Sequence, residues 1–390
     1  MSHTPPEGTD EPTPLVNFDP PVEETPGAAG ETEAALTDQD QKVEINVAPQ
    51  PTWFMRTVFP GLEAVGWMVG TLIAIFTGSI AAAIVVSVVW IVAHPNSEFS
   101  PTIIEQQVML PALVGSQVFL IGFAALGVFV RFGTKFPRTL GLRGLSLGHL
   151  LVVLGLTLPV QFLAHAWSSL ASGLLESVGI TISSQEYMEQ MQQVLGAGPL
   201  VIMWLLMAVC PAVGEELVFR GIIGNTLVRN WGAWWGVLAT SVLFGVIHLI
   251  PIQAIAVIPL GMAMHYVYLM TKSFWAPVLL HLANNSLALL MMEATGELTA
   301  AEAESLEEPL SGGILAASLL TAACLFGILW QTRRLSGSAS AVEVDDAAHI
   351  DTVTGGEGKL TSNPATPMTY LAAAVSLAGV GVLTYLMIME

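Results

Sequence analysis

Apolar residues in this chain come in long blocks, not at the spacing of a surface helix or a half-buried strand. Apolar runs of roughly 17 or more residues, enough to cross a hydrocarbon core of about 30 Å, occur nine times. They lie at 63–92, 109–130, 147–170, 199–218, 231–249, 254–270, 274–292, 313–330 and 370–389. With no water in a bilayer core, backbone groups must be satisfied within each segment, which predicts helices. The two-residue alternation of a membrane β-strand is absent. The expected fold class is therefore all-α, a polytopic transmembrane bundle of about nine helices.

The polar segments between the runs set the orientation. The twelve Lys and Arg residues all fall on one side if nine helices are threaded with the N-terminus inside. The opposite loops, around 96–107, 176–196 and 293–309, carry acids and no Lys or Arg. Basic residues stay cytoplasmic, so the expectation is N-terminus in and C-terminus out. The domain reading follows: a disordered acidic tail at 1–55, N-terminal membrane helices at 56–197 and a core at 198–292. Then come an eighth helix with an acidic outer loop at 293–334, a polar acidic cytoplasmic loop at 335–368 and a last helix at 369–390. The tail, rich in Pro, Thr, Gly and acid, lacks the apolar content to bury a core. It has no basic start followed by an apolar stretch and does not read as a signal peptide.

Composition narrows the picture. Only 11% of residues are charged and the mean hydropathy is +0.66, values of a membrane protein and not of a soluble globule. A net charge of −19 disfavours nucleic acid as a partner, since that needs a basic surface. The two cysteines, Cys210 and Cys324, lack metal-ligand spacing and read as small core residues. The C-terminal Leu-Met-Ile-Met-Glu is no prenylation signal. No internal repeat of the transporter kind is visible.

Against this apolar background, a few polar residues stand out. Glu215 and Glu216 lie in the run 202–218, where each costs a few kcal/mol at mid-membrane even on the lenient insertion scale. Three patterns recur in order: Glu215-Glu216-Leu217-Val218-Phe219-Arg220-Gly221, then Phe244-Gly245-Val246-Ile247-His248, then His281-Leu282-Ala283-Asn284-Asn285. Glu216 and Arg220 are four apart and share a helix face in the favourable acid-before-base order. His281 and Asn285 have the same spacing, and Phe244 stands one turn before His248 as a packing partner. The polar turn Arg229-Asn230-Trp231-Gly232 joins two antiparallel helices. At 1.5 Å per residue, Glu215 lies about 22 Å before Asn230 and His248 about 27 Å after it, with His281 about 13 Å in from Lys272. Such depths let the three patterns meet in the cytoplasmic half of the bilayer.

Glu-Glu-x-x-Phe-Arg-Gly, Phe-x-x-x-His and His-x-x-x-Asn in that order resemble the CAAX-protease and bacteriocin-processing family of intramembrane endopeptidases, which includes the Ras-converting prenyl-protein proteases. The resemblance covers about 198–292, a quarter of the chain. Leu140-Gly141-Leu142-Arg143 also resembles the stretch often found ahead of that core. The family fold has about eight membrane helices, so a ninth is a departure. The resemblance implies that Glu215 is the base that activates a water and that His248 helps to hold it. It implies that His281 and Asn285 stabilise the oxyanion, while Glu216, Arg220 and Phe244 support the site. Donors preset at a developing oxyanion are worth about 3–4 kcal/mol each. The archaeal relatives are described as metal-free glutamate proteases, and the expectation is no cofactor. Glu with two His is nevertheless a zinc-hydrolase donor set, so zinc stays open, although His-Glu-x-x-His is absent.

The expected function is an integral membrane peptidase of the cell membrane whose site opens to the cytoplasm. It would hydrolyse membrane-associated proteins, prenylated ones included by resemblance alone. A non-catalytic bacteriocin-immunity or maturation factor is one alternative. A proton-coupled transporter using Glu and His as a relay is another. His165 and His265 belong to no pattern and read as structural. Gly144-Leu145-Ser146-Leu147-Gly148 matches a nucleophile elbow on paper, but no Asp lies in any membrane run to complete a triad. Trp204, Trp234, Trp235 and Trp275 read as packing and interfacial anchors, and 183–195 as an amphipathic outer-face piece.

Overall fold

A computed structural model of the chain describes residues 52–95, 101–179, 191–295, 310–335, 361–362, 378–379 and 381. Most of the expected disordered tail, most of the 183–195 piece, most of the 335–368 loop and nearly all of the last helix lie outside them. The regular elements among the described residues are helices apart from one pair of two-residue strands. Seven helices among them are long and apolar enough to cross a membrane.

These helices are α1 (Phe54–Ala93), α2 (Gln107–Thr139, entered from Pro101), α3 (Leu147–Ser177), α4 (Leu200–Val246), α5 (Pro251–Thr271), α6 (Trp275–Ala294) and α7 (Gly312–Gln331). Helix α4 contains two of the expected runs. Gly232 (φ 80°, ψ 167°) breaks it, a conformation that only glycine adopts without strain. The chain doubles back there: Phe219 and Phe244, symmetric about the turn, stack edge-on at 5.2 Å. A Cβ on Gly236 would lie 2.5 Å from the Val228 backbone. The polar turn expected at 229–232 is this hairpin. Helix α1 begins at Phe54, not at 56 or 63, with a π-helical turn over Phe54–Val58.

Prolines interrupt several helices, and side chains from neighbouring helices donate to the freed carbonyls. Pro259 has no N–H to give Ile255 O four residues back, and Trp167 Nε1 donates to that oxygen at 2.9 Å. Such repair is how membrane helices tolerate proline. Helices α1 and α2 cross at Gly78 and Gly115, where a Cβ on either would lie within 2.3 Å of the other's carbonyl oxygen. Close approach through small residues is how helices gain van der Waals contact in lipid.

One end of the bundle gathers the basic loops. Trp231 Nε1 donates to Thr57 O, Arg131 Nε to Glu63 Oε1, and Arg334 to Gly144 O. Phe274 N donates to Gly141 O at 3.0 Å and Tyr268 OH to Leu140 O at 3.2 Å. The Leu140–Arg143 stretch is thereby clamped onto the α5–α6 turn. Ser146 is the N-cap of α3, accepting from His149 N, which gives the paper nucleophile elbow a structural role. Beyond α7, Arg334–Leu335 pairs antiparallel with Thr361–Ser362, Arg334 opposite Ser362, a strand pair with no sequence signal. The main core draws Phe219, Phe244, Met264, Leu280, Leu156 and Leu325 from four spans and the α4 hairpin, and the polar site lies within it.

Candidate active site

The first pattern lies on the first arm of α4, which alternates α and π turns. Leu205–Val209 and Leu217–Gly224 are π-helical, with Cys210–Glu216 α-helical between them. π turns are rare and frequent at functional sites. The second one displaces carbonyls from their usual donors, and Asn225 Nδ2 donates to Arg220 O and Gly221 O. The result places Glu216 and Arg220, both with fully buried side chains, in contact at 2.7 Å between Oε1 and Nη1.

Arg220 also donates from Nη2 to Gly261 O on α5 at 3.0 Å and lies 4.7 Å over the Phe244 ring. Its buried charge thus meets a carboxylate, a carbonyl and an aromatic face, as a desolvated guanidinium must. Glu216 Oε1 takes a second partner, His281 Nδ1 of α6, at 3.0 Å. That contact turns the other ring nitrogen, Nε2, toward Glu215, 3.9 Å from its Oε2. Glu215 is the more open of the two acids, with its side chain 15% exposed against 0% for Glu216. Glu215 Oε2 and Glu216 Oε2 receive no hydrogen bond among the described residues.

His248 lies beyond the helix that the sequence extends to 249. Helix α4 ends at Val246, and Leu249 takes a positive φ of 60°. The half-buried imidazole is held by a contact from Nδ1 to Phe244 O at 2.9 Å. Phe244 is the hub: its ring meets His248 edge-on at 5.2 Å, His281 at 5.7 Å and Phe219 at 5.2 Å. The three sequence patterns therefore meet, on α4, the α4–α5 turn and α6.

Asn285 Nδ2 donates to Met207 O at 3.2 Å. Pro211 explains why that oxygen is available, because it has no N–H to offer four residues back. Asn284 Nδ2 reaches Asn285 Oδ1 at 3.4 Å, and its own buried Oδ1 has no donor among the described residues. Ser286 takes a hydrogen bond from Trp204 Nε1 at 2.8 Å. Of the histidines outside the patterns, His165 is half-buried on α3. His265 on α5 is fully buried against the place where Gly224 lacks a Cβ.

Three partners escape a reading of side chains alone. They are the Gly261 and Met207 carbonyls and the Glu216 to His281 contact. The prolines gave a signal for Met207, since any Pro in a helix frees the carbonyl four residues back. Among the described residues no group of three or more His, Cys, Asp or Glu side chains is arranged to hold a metal ion.

Comparison with known proteins picks out the same stretch of chain. Residues 197–287 match the family described as type II CAAX prenyl endopeptidase Rce1-like. That span holds both arms of α4, all of α5 and the His281 to Asn285 turn of α6. A candidate membrane peptidase of Bacillus subtilis strain 168, YdiL, is 29% identical over 98 residues. The matched stretch is 25% of this chain and 39% of that relative's length. No solved structure matches the chain. Over this core the chain is similar to the CAAX-protease and bacteriocin-processing family, and it spans well under half the length of the relative it matches.

Proposed function

We propose that the protein is an intramembrane endopeptidase that hydrolyses membrane-associated proteins with a water activated by Glu215. The observation that carries the reading is the pairing of unlike environments on adjacent acids. Glu216 is sealed between Arg220 and His281, while Glu215 is partly open and keeps an oxygen unengaged beside His281 Nε2. A structural ion-pair network accounts for Glu216 and leaves Glu215 without a purpose in hydrocarbon. The same asymmetry argues against a transporter relay, in which both acids would need access to protons.

In this mechanism Glu215 takes a proton from water as the oxygen adds to the scissile carbonyl. His281 and the second N–H of Asn285 face the developing oxyanion, and His248 positions the water. The C–N bond then breaks, and Glu215 returns the proton to the leaving amine. Glu216 fixes the His281 ring through Nδ1, the way a carboxylate sets imidazole orientation at many catalytic centres. The basic loops clustered at one end support a cytoplasmic opening. Relatives that act on prenylated proteins make lipidated C-terminal peptides the first substrates to try.

The test is cleavage of a peptide library, lipidated members included, by detergent-purified protein. Wild type is compared with Glu215→Gln and His248→Ala, with and without chelator. Turnover in the wild type, lost in both variants and indifferent to chelator, is the expected result. Loss on chelation restored by zinc would replace the glutamate mechanism with a metal one. No cleavage by wild type would overturn the peptidase reading in favour of an immunity or maturation role.

A further inference from the structure

A second feature is lined by none of the residues of the candidate active site. Between the start of α1 and the second arm of α4 runs a groove of about 960 Å³, at the upper end of the ~300–1,000 Å³ range of ligand pockets. Its long walls are apolar, with Leu62 and Val65 on α1 facing Trp235 and Val242 on α4, all four exposed. Its floor includes Ala64 and Leu227, both buried in the main core. From Thr57 to Val65 it extends about 12 Å along α1, and its exposed apolar walls belong to helices long and apolar enough to cross a membrane.

Polarity is confined to one end. Thr57 and Asn230 are the polar lining residues, and Trp231 Nε1 joins the two helices there by its bond to Thr57 O. Next to these two lining residues in sequence stand two exposed arginines, Arg56 and Arg229. Arg229 makes no ion pair among the described residues. Trp53, three residues before Arg56, and Trp234 and Trp235, just past the Gly232 turn, expose their indoles, as interfacial anchors do. An apolar trough on two membrane-type helices, crossed by an indole at one end and with two cations beside that end, matches one chemistry: a hydrocarbon chain with an anionic head.

We propose that this groove is a binding site for one anionic glycerophospholipid. An acyl chain lies between Leu62 and Val242, and the phosphate lies between Arg56 and Arg229. The site is separate from Glu215 and does not depend on the peptidase reading. Because its floor residues Ala64 and Leu227 pack in the same core as Phe219 and Phe244, an occupied groove buttresses the wall on which His248 and His281 rest.

The test is native mass spectrometry of the full chain in detergent. Dioleoyl phosphatidylglycerol, dioleoyl phosphatidylcholine or inorganic phosphate is added at equal concentration. Wild type should retain one phosphatidylglycerol per chain in preference to phosphatidylcholine by about 25-fold, from two arginines at an anionic surface. Arg56→Gln with Arg229→Gln should erase that preference, and Arg56→Lys with Arg229→Lys should keep most of it. Ala239→Phe, which fills the trough, should reduce retention of both lipids. Each variant is checked by gel filtration and helicity, so that a misfolded chain is not scored. Equal retention of the two lipids by wild type, an undiminished preference in the Gln pair, or displacement of phosphatidylglycerol by inorganic phosphate would each overturn the proposal.

Discussion

Replacing Arg220 with Met tests how the buried network is held. The guanidinium is fully buried, 2.7 Å from Glu216 Oε1, 3.0 Å from Gly261 O and 4.7 Å over Phe244. Methionine fills similar space but leaves Glu216 with His281 as its one partner. Breaking a buried pair by removing one member costs about 3–5 kcal/mol, because the other charge remains in low dielectric. The lost cation–π contact belongs within that sum, at about 2 kcal/mol for a desolvated pair. Glu216→Gln alone is milder, since the Gln oxygen still accepts from His281 Nδ1 and from Arg220. The double variant removes both charges and should recover about 1–3 kcal/mol relative to the sum of the singles. The assay is reversible unfolding in mixed detergent micelles, followed by helicity, for wild type, both singles and the double. An Arg220→Met protein within about 1 kcal/mol of wild type would refute the reasoning. So would additive singles, which would mean that the two side chains do not depend on each other.

Other outcomes follow from close contacts and charge. Gly224→Ala places a Cβ 2.4 Å from His265 Cε1 and 2.7 Å from Phe219 O, and should lose about 1–3 kcal/mol by overpacking; unchanged unfolding would show that His265 yields. Gly115→Ala sets a Cβ 2.2 Å from Gly78 O, whereas Gly122→Ala meets nothing within 4 Å. Paired melting curves should show the first destabilised and the second unchanged or slightly improved. Burial, and then Arg143, hold the Lys272 ammonium down at about 8. Between pH 8 and its ordinary value of 10.5 the unfolded chain binds the extra proton, so stability should rise with pH across that window. Lys272→Met should flatten this rise, and an unaltered slope would assign it to other groups.

The spans were legible because hydropathy blocks report membrane helices directly, and the 229–232 turn was legible from its polar residues and glycine. The i, i+4 spacing of Glu216 and Arg220 foretold their pairing, and helix rise foretold that His248 and His281 come to similar depth. What the sequence concealed is of two kinds. Backbone acceptors such as Gly261 O carry no side-chain signature, so the second partner of Arg220 was invisible. The π turns over 205–209 and 217–224 shift helical phase by tertiary demand, and constant rise per residue does not anticipate them. His248 was placed inside a helix because apolar residues continue to Ile252. The turn at 247–250 is set by the crossing of α4 and α5, where a Cβ on Gly245 would lie 2.5 Å from Ala254 O.

The clamp between Leu140-Gly141 and the α5–α6 turn has a practical consequence for protein engineering. The segment that matches the family begins at 197, yet Tyr268 OH and Phe274 N find their acceptors at Leu140 and Gly141. Leu120 fills the space beside Gly214, and Leu140 that beside Gly221. A chimaera that grafts only the matched quarter onto another scaffold would strip these donors of acceptors and open the wall behind Glu215. The smallest transplantable cassette therefore starts no later than α2, and the stretch ahead of the matched core must travel with it.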